Sequence, residues 1–259
     1  MLRSWSFTDL EFLALWQERG AEFLPEPLMF SSRTQWWSEH LDAMARTRDS
    51  LPHERDPEWQ DIFDTLSLPD VRIEVRGRDG RDASDPKGSI RLLGARRGDF
   101  GYLVVQQPGE TVSHSAGFDV TACDAGQLAA ELIAALPDVA AGRGPELVLA
   151  ESADIEDHDY AFGLSPAHET MEGTVIDRAA EFLAAPAVTR GVIEIVQGYS
   201  RFGPRGITRH RVDWRDLVDD GRYVVTGDYP RVAAPADPRR MVATVQTRID
   251  EVLVALGDE

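Results

Sequence analysis

Three strands written out in succession between Val71 and Gln107 constrain this chain more than anything else in it. Val71, Ile73 and Val75 alternate with Arg72, Glu74 and Arg76, the period-two pattern of a half-buried strand. Two further runs, Ile90–Arg96 and Phe100–Gln107, are split by the Gly98-Asp99 turn signal and read as a hairpin. Strands joined this closely favour an antiparallel sheet with helices packed on it. The hairpin strands are apolar on both sides, with Ile90 and Leu92 on one and Leu93 and Ala95 on the other. Either both faces are covered within the monomer, or one is left as the kind of apolar patch that marks an interaction site. The loop Gly77–Ser89 carries Arg78, Asp79, Arg81, Asp82, Asp85 and Lys87. Loops of that length without structure of their own are usually functional or disordered.

Helices flank this block. Thr8 and Glu11 have capping-box spacing, Phe7 and Phe12 occupy staple positions, and Gly20 is a natural stop. Leu28-Met29-Phe30 reads as a short strand, and Thr34–Thr47 as a helix with the stripe Trp37, Leu41, Met44. Asp56-Pro57 caps a helix bearing Trp59, Ile62, Phe63 and Leu66, and Gln127–Leu136 forms another. The segment Val139–Pro145 is the candidate hinge or subdomain boundary. Beyond it the pattern repeats. Ile73 and Ile193 stand 120 positions apart, as do Val104-Val105 and Val224-Val225, and Leu132 and Val252. Asp237 and Pro238 open the last helix, with Met241, Val245, Ile249, Val252 and Leu256 as its stripe. The expected fold class is therefore α+β: one domain, residues 1–259, with a central antiparallel sheet flanked by helices. It would be built from two pseudo-twofold-related αβ halves, 1–138 and 145–259.

Composition narrows the partners. With 27 basic against 45 acidic residues the formal net charge is −18, the wrong sign for nucleic acid or an anionic membrane. Cys123 is the only cysteine, so neither an intrachain disulfide nor a cysteine-based zinc site is available. None of His40, His53, His114, His158, His168 and His210 has metal-ligand spacing to another, so no metal is expected. The acidic run Asp154–Asp159 lacks the oxygen spacing and turn glycine of a calcium loop. Asp9 and Glu11 interrupt any signal peptide, and no apolar stretch is long enough for membrane insertion. A soluble, cytoplasmic protein is expected.

Catalytic signatures are missing. Gly198–Gly203 is one residue too long for a nucleophile elbow and leads into Pro204. There is no phosphate-binding loop and no dinucleotide fingerprint, so no cofactor is expected. A hydrolase using Ser200 near Tyr199 and His210 stays open as an alternative, as does a non-enzymatic homodimeric adaptor pairing through sheet edges. The cations of Val71–Arg97 outnumber its carboxylates. On an otherwise acidic protein, that local excess suits an acidic or amphipathic protein partner.

The blocks FTDLEFLALW, LPEPL, DVRIEVRG, IRLLGARRGDFGYLVVQQPGE and VTACDAGQLAAELIAALP, in this order, resemble the EspG family of actinobacterial type VII (ESX) secretion. The resemblance implies a cytoplasmic, non-enzymatic chaperone for the PPE protein of a helical PE–PPE heterodimer, which it would keep soluble for the ESX machinery. It implies a quasi-twofold fold that covers the apolar helical tip of the PPE protein. The covering parts would be the sheet, the loop between the second and third strands (here Gly77–Ser89) and a C-terminal bundle. That bundle would include Met241–Leu256 and a helix near Thr174–Ala184. The candidate contacts are Arg76, Arg78, Arg81, Asp82, Asp85, Lys87, Ile90 and Leu92, with Phe202 and His210 from the second half. The second-half counterpart of the loop, Gly198–Gly206, is shorter and has only Arg201 and Arg205 as charges, so the long first-half loop is where the halves differ most.

Overall fold

The computed structural model describes residues 3–52, 56–149, 166–227 and 230–258, and of 166–174 the helical backbone alone. Among the described residues, ten strands form a single antiparallel sheet. They are β1 (Ser4–Phe7), β2 (Val71–Asp79), β3 (Ile90–Arg97), β4 (Phe100–Pro108), β5 (Ser115–Asp124), β6 (Leu147–Leu149), β7 (Ala187–Gln197), β8 (Arg209–Leu217), β9 (Arg222–Thr226) and β10 (Arg231–Pro235). Their order across the sheet is β1-β5-β4-β3-β2-β7-β8-β9-β10-β6. The α-helices among the described residues are α1 (Asp9–Gln17), α2 (Trp37–Ser50), α3 (Pro57–Ser67), α4 (Leu128–Ala134), α5 (Pro166–Ala184) and α6 (Pro238–Gly257). The strands β2 to β5 followed by α4, and β7 to β10 followed by α6, run in the same order, and β2 joins β7 at the centre.

Alternation sorts the side chains onto two faces. Val71, Ile73 and Val75 of β2, Ile193 and Ile195 of β7, and Val212 and Trp214 of β8 meet Leu128 and Leu132 of α4 and Met241, Val245, Ile249 and Val252 of α6 in one buried cluster. The opposite face has two separate cores. Leu93, Ala95, Tyr102, Val104, Phe118 and Val120 lie under α1 to α3. Tyr223, Val225 and Ala233 lie under Ala179 and Phe182 of α5. Both sides of the β3–β4 hairpin are therefore covered: Leu92 and Leu93 are both buried, and no apolar patch is left there.

Local signals place most helix starts. Thr8 Oγ1 accepts from Glu11 N at 3.2 Å while Glu11 Oε2 accepts from Thr8 N at 2.8 Å, and the Phe7 and Phe12 rings lie 6.0 Å apart. Asp56 caps α3 and Asp237 caps α6, each followed by proline. Two expectations differ from what is observed. Leu28–Phe30 is irregular rather than a strand, because Met29 N is satisfied by Gln106 Oε1 at 2.8 Å and not by a neighbouring strand. The helix expected from Thr34 starts at Trp37 and buries His40 and Met44, leaving Trp37 and Leu41 exposed. The residues Val139–Pro145, the candidate hinge or subdomain boundary, are docked on β9. Arg222 N donates to Ala140 O at 2.8 Å, and Gly142 N donates to Arg222 O at 2.9 Å. The Asp154–Asp159 run lies outside the described residues. Strand β1, which no strong alternation announces, pairs with β5 at one edge.

Arg33 fastens the extended stretch before α2 to the rest of this lobe. Its guanidinium holds Glu110 bidentately at 2.8 and 3.0 Å, donates to Ser115 O at 2.6 Å, and pairs with Asp9 in the first turn of α1. Hydrogen bonding to Arg33 lowers the Glu110 carboxyl to about 2. A carboxyl depressed in the folded state stabilises above its ordinary value and loses that contribution as pH falls through its folded value. The clamp should thus persist at pH 4 and release only toward pH 2. In an Arg33→Ala variant, an NMR titration should find Glu110 back near the ordinary glutamate range. An unmoved midpoint would mean that Arg33 is not its cause.

Candidate functional site

Among the described residues, α1 to α3 and α5 cover the two ends of the second face, and a groove lies over the middle of the sheet between them. A cavity of about 540 Å³ opens there, lined by β2, β3, β7 and β8, by Ala83 and Ser89 of the loop, and by Leu149 and Leu183 at the α5 side. Its floor is built by alternation. Arg76 and Arg78 on β2, Arg190 and Val192 on β7, and Arg211, Asp213 and Arg215 on β8 point away from the buried cluster of the first face.

Two of the three rows of the floor pair their charges. Glu74 stands directly opposite Glu194, a like-charge pair in which Glu74 is only 4% exposed. Arg76 bridges the two at 2.8 and 2.6 Å and also meets Glu26, while Arg72 holds Glu74 from the other side at 2.7 Å. Arg211 reaches Asp213 at 2.8 Å, and Arg231 contacts the same carboxylate. In the third row Arg78 faces Arg190 and Arg190 faces Arg215. Arg215 caps the C-terminus of α5, donating to the carbonyls of Phe182, Leu183 and Ala185 at 2.9, 2.9 and 2.8 Å. Burial, and then the charge of Arg190, lower its pKa. Arg91 on β3 donates to the carbonyls of Pro27 and Val112, both at 3.2 Å, and burial lowers its pKa too.

The Gly77–Ser89 loop is ordered by its own aspartates. Asp79 Oδ1 accepts from Arg81 N at 2.7 Å and Asp82 N at 2.8 Å, Asp82 Oδ1 accepts from Ser84 N at 2.9 Å, and Asp85 Oδ1 accepts from Lys87 N at 3.0 Å. These backbone donors hold the carboxyl of Asp79 below the usual range, and the hydroxyl and N–H of Ser84 do the same for Asp82. Gly88 packs on Asp79 so closely that an added Cβ would lie 2.6 Å from the Asp79 Cβ. The aspartates thus shape the loop, while Arg78, Arg81 and Lys87 stay exposed at the rim.

The structure brings Arg76, Arg78 and Ile90 together in the groove wall, with Arg81, Asp82, Asp85 and Lys87 on the adjoining loop. Leu92 lies in the core instead, 2% exposed. Phe202 and His210 belong to the other end of the central strands, since β2 and β7 are antiparallel and their following loops leave in opposite directions. The length of β2 separates the ends by about 26 Å. Phe202 is exposed there, and His210 faces α6, with its Nε2 3.4 Å from Glu251 Oε2. Ser200 Oγ accepts from Phe202 N at 3.1 Å. Arg190, Arg211, Arg215 and Arg231, none of them among the expected contacts, also line the groove. Their signal was legible in β8, where Arg211, Asp213 and Arg215 alternate with Val212 and Trp214. Among the described residues no group of histidine, cysteine and carboxylates could hold a metal.

Residues 8–247 match the family model described as the EspG family. The chain belongs to the EspG family. This EspG-family protein is similar in structure to the Mycobacterium tuberculosis type VII secretion system chaperone EspG5, solved in complex with a PE25–PPE41 dimer. The TM-score is 0.58 at 14% sequence identity, over 98% of this chain and 97% of that one. The likeness shows a shared fold, a large antiparallel sheet with flanking helices, as the hairpins and caps of the sequence imply. Among curated proteins, none matches the chain. No helix among the described residues is long and apolar enough to cross a membrane.

Proposed function

We propose that this EspG-family protein is a cytoplasmic, non-enzymatic chaperone of type VII secretion. It binds the PPE protein of a PE–PPE heterodimer and covers the apolar helical tip until the ESX machinery takes the pair. The observation that carries this reading is the family match over residues 8–247, joined to a fold shared end to end with a chaperone solved in complex with a PE–PPE dimer. The groove supplies what a helical tip needs. Apolar wall residues such as Val192 and Leu183 can bury its side chains, at roughly 25 cal/mol per Å² before ordering costs. The rim cations Arg78, Arg81 and Lys87 can add selectivity and on-rate. Two halves, 1–138 and 145–259, related by a pseudo-twofold axis through the β2–β7 pair, are part of the same reading. Its support is the common element order and the register that sets Glu74 against Glu194 at the spacing of the sequence repeat.

Co-expression with each PE–PPE pair of the source organism, followed by size-exclusion chromatography, tests the function. A co-eluting complex is expected with at least one pair, and the reading fails if every pair stays soluble and unassociated with this protein. Within such a complex, deleting Ser84–Ser89 or reversing Arg78 and Arg81 to glutamate should weaken binding about tenfold or more while circular dichroism stays unchanged. Full affinity in both variants would move the contact away from the loop.

A further inference from the structure

We infer that the groove selects a PPE tip presenting a carboxylate beside its apolar residues, and that Arg190 together with Arg78 is the specificity-determining pair that reads it. This deepens, and rests on, the chaperone reading above.

The row Arg78–Arg190–Arg215 sets like charges directly opposite one another across three adjacent strands, an arrangement that destabilises a sheet. In the neighbouring rows every cation of β2 and β8 has a carboxylate: Arg76 has Glu74 and Glu194, and Arg211 has Asp213. In this row Arg215 is occupied by the carbonyls that end α5. Among the described residues Arg78 and Arg190 make no ion pair, and Arg190 Nε is buried without a hydrogen-bond partner. Among the described residues, the groove floor thus holds guanidinium groups without a carboxylate acceptor.

Charge complementarity identifies the occupant. At a net charge of −18 most of this surface repels acids, so a local surplus of arginine marks the place where one is accepted. Long polyanions would meet the repulsion of the whole molecule. The apolar walls, Val192, Leu149 and Leu183, line the same cavity of about 540 Å³. That volume takes a few side chains rather than a strand of nucleic acid. A carboxylate on a helical tip matches both features, because a guanidinium binds it bidentately while the adjoining apolar side chains meet the wall.

The test uses the full-length protein and a PE–PPE heterodimer of the source organism that co-elutes with it. Affinity is measured at low and moderate salt for the wild type, Arg190→Gln, Arg190→Lys and the Arg78→Gln/Arg190→Gln double variant. Arg190→Gln should weaken binding about tenfold and the double variant roughly a hundredfold. The salt dependence should flatten, and Arg190→Lys should recover part of the loss. Thermal unfolding midpoints should be equal or higher, because the substitutions relieve a like-charge row. Unchanged affinity and salt dependence in the double variant would overturn the inference and leave the chaperone reading standing. So would a loss of affinity accompanied by a lower midpoint, which marks a purely structural role, or displacement of the heterodimer by millimolar inorganic phosphate, which marks a small-anion site. A wild-type protein that binds no PE–PPE pair would take the chaperone reading down as well.

Discussion

Arg222→Ala is expected to lower the unfolding free energy by about 3–5 kcal/mol, a fall in melting midpoint on the order of 10 °C. Arg222 is a fully buried cation at the meeting point of β8, β9 and the segment that joins α4 to β6. Its guanidinium holds Asp216 bidentately at 2.6 and 2.9 Å and donates to Pro137 O at 3.0 Å. Both side chains of the pair are 2% exposed. Removing the cation leaves the Asp216 carboxylate uncompensated in the interior and frees the 137–144 segment from its anchor. A buried pair is not itself strong evidence of net stabilisation. The contrast is therefore diagnostic: Arg222→Met combined with Asp216→Leu should recover most of the loss. Urea denaturation of both variants measures this. A single variant that loses less than about 1 kcal/mol would show that the pair does not hold the segment in place.

The second large effect lies under the groove. Trp214 is fully buried, and its indole lies across β7 and β2 because both strands carry glycine where it passes. Gly191 is its direct partner on β7, and Gly77 is the partner of Gly191 on β2. A Cβ on Gly191 would come within 2.0 Å of the indole, and one on Gly77 within 3.1 Å. Trp214→Ala should cost about 3–5 kcal/mol through the cavity it leaves. Gly191→Val should cost about 1–3 kcal/mol by overpacking against the ring. The two substitutions should not add. In the Trp214→Ala background, valine at 191 should recover stability by filling part of the space, and a double-mutant cycle reads that coupling. Simple additivity would mean that the glycines are there for another reason.

Much of this molecule was legible in one dimension because its cues act over a few residues. The capping box at Thr8, the aspartate–proline starts at Asp56 and Asp237, and the alternation through β2, β3 and β4 depend only on neighbouring residues and appear where they were expected. The stripe Met241, Val245, Ile249, Val252 is buried as its spacing implies. The stripe Trp37, Leu41, Met44 misleads, because a helical period shows that residues share a side but not which side meets the protein. There α2 turns His40 and Met44 inward. Leu92 misleads in the same way: its apolar character is plain, but whether that face meets solvent depends on α4 and α6, which arrive from distant parts of the chain.

The candidate site divides along the same line. The basic excess of Val71–Arg97 and the long loop were visible in the sequence, and with them Arg76, Arg78 and Ile90, which the fold places in the groove wall. Their partners across the β2–β7 junction were not, because strands more than a hundred positions apart become neighbours only when the sheet closes. That closure sets Arg78 against Arg190, traps Glu74 and Glu194 around Arg76, and sends Phe202 and His210 to the far end. The loop's carboxylates, which read as contacts, become its own turn acceptors once Asp79 and Gly88 pack together. Local pattern and the order of blocks were enough for the antiparallel sheet, most helix starts and the family. Tertiary structure alone decided which charges stay unpaired, because an arginine's need for a partner is settled by what the fold brings within about 3 Å of it.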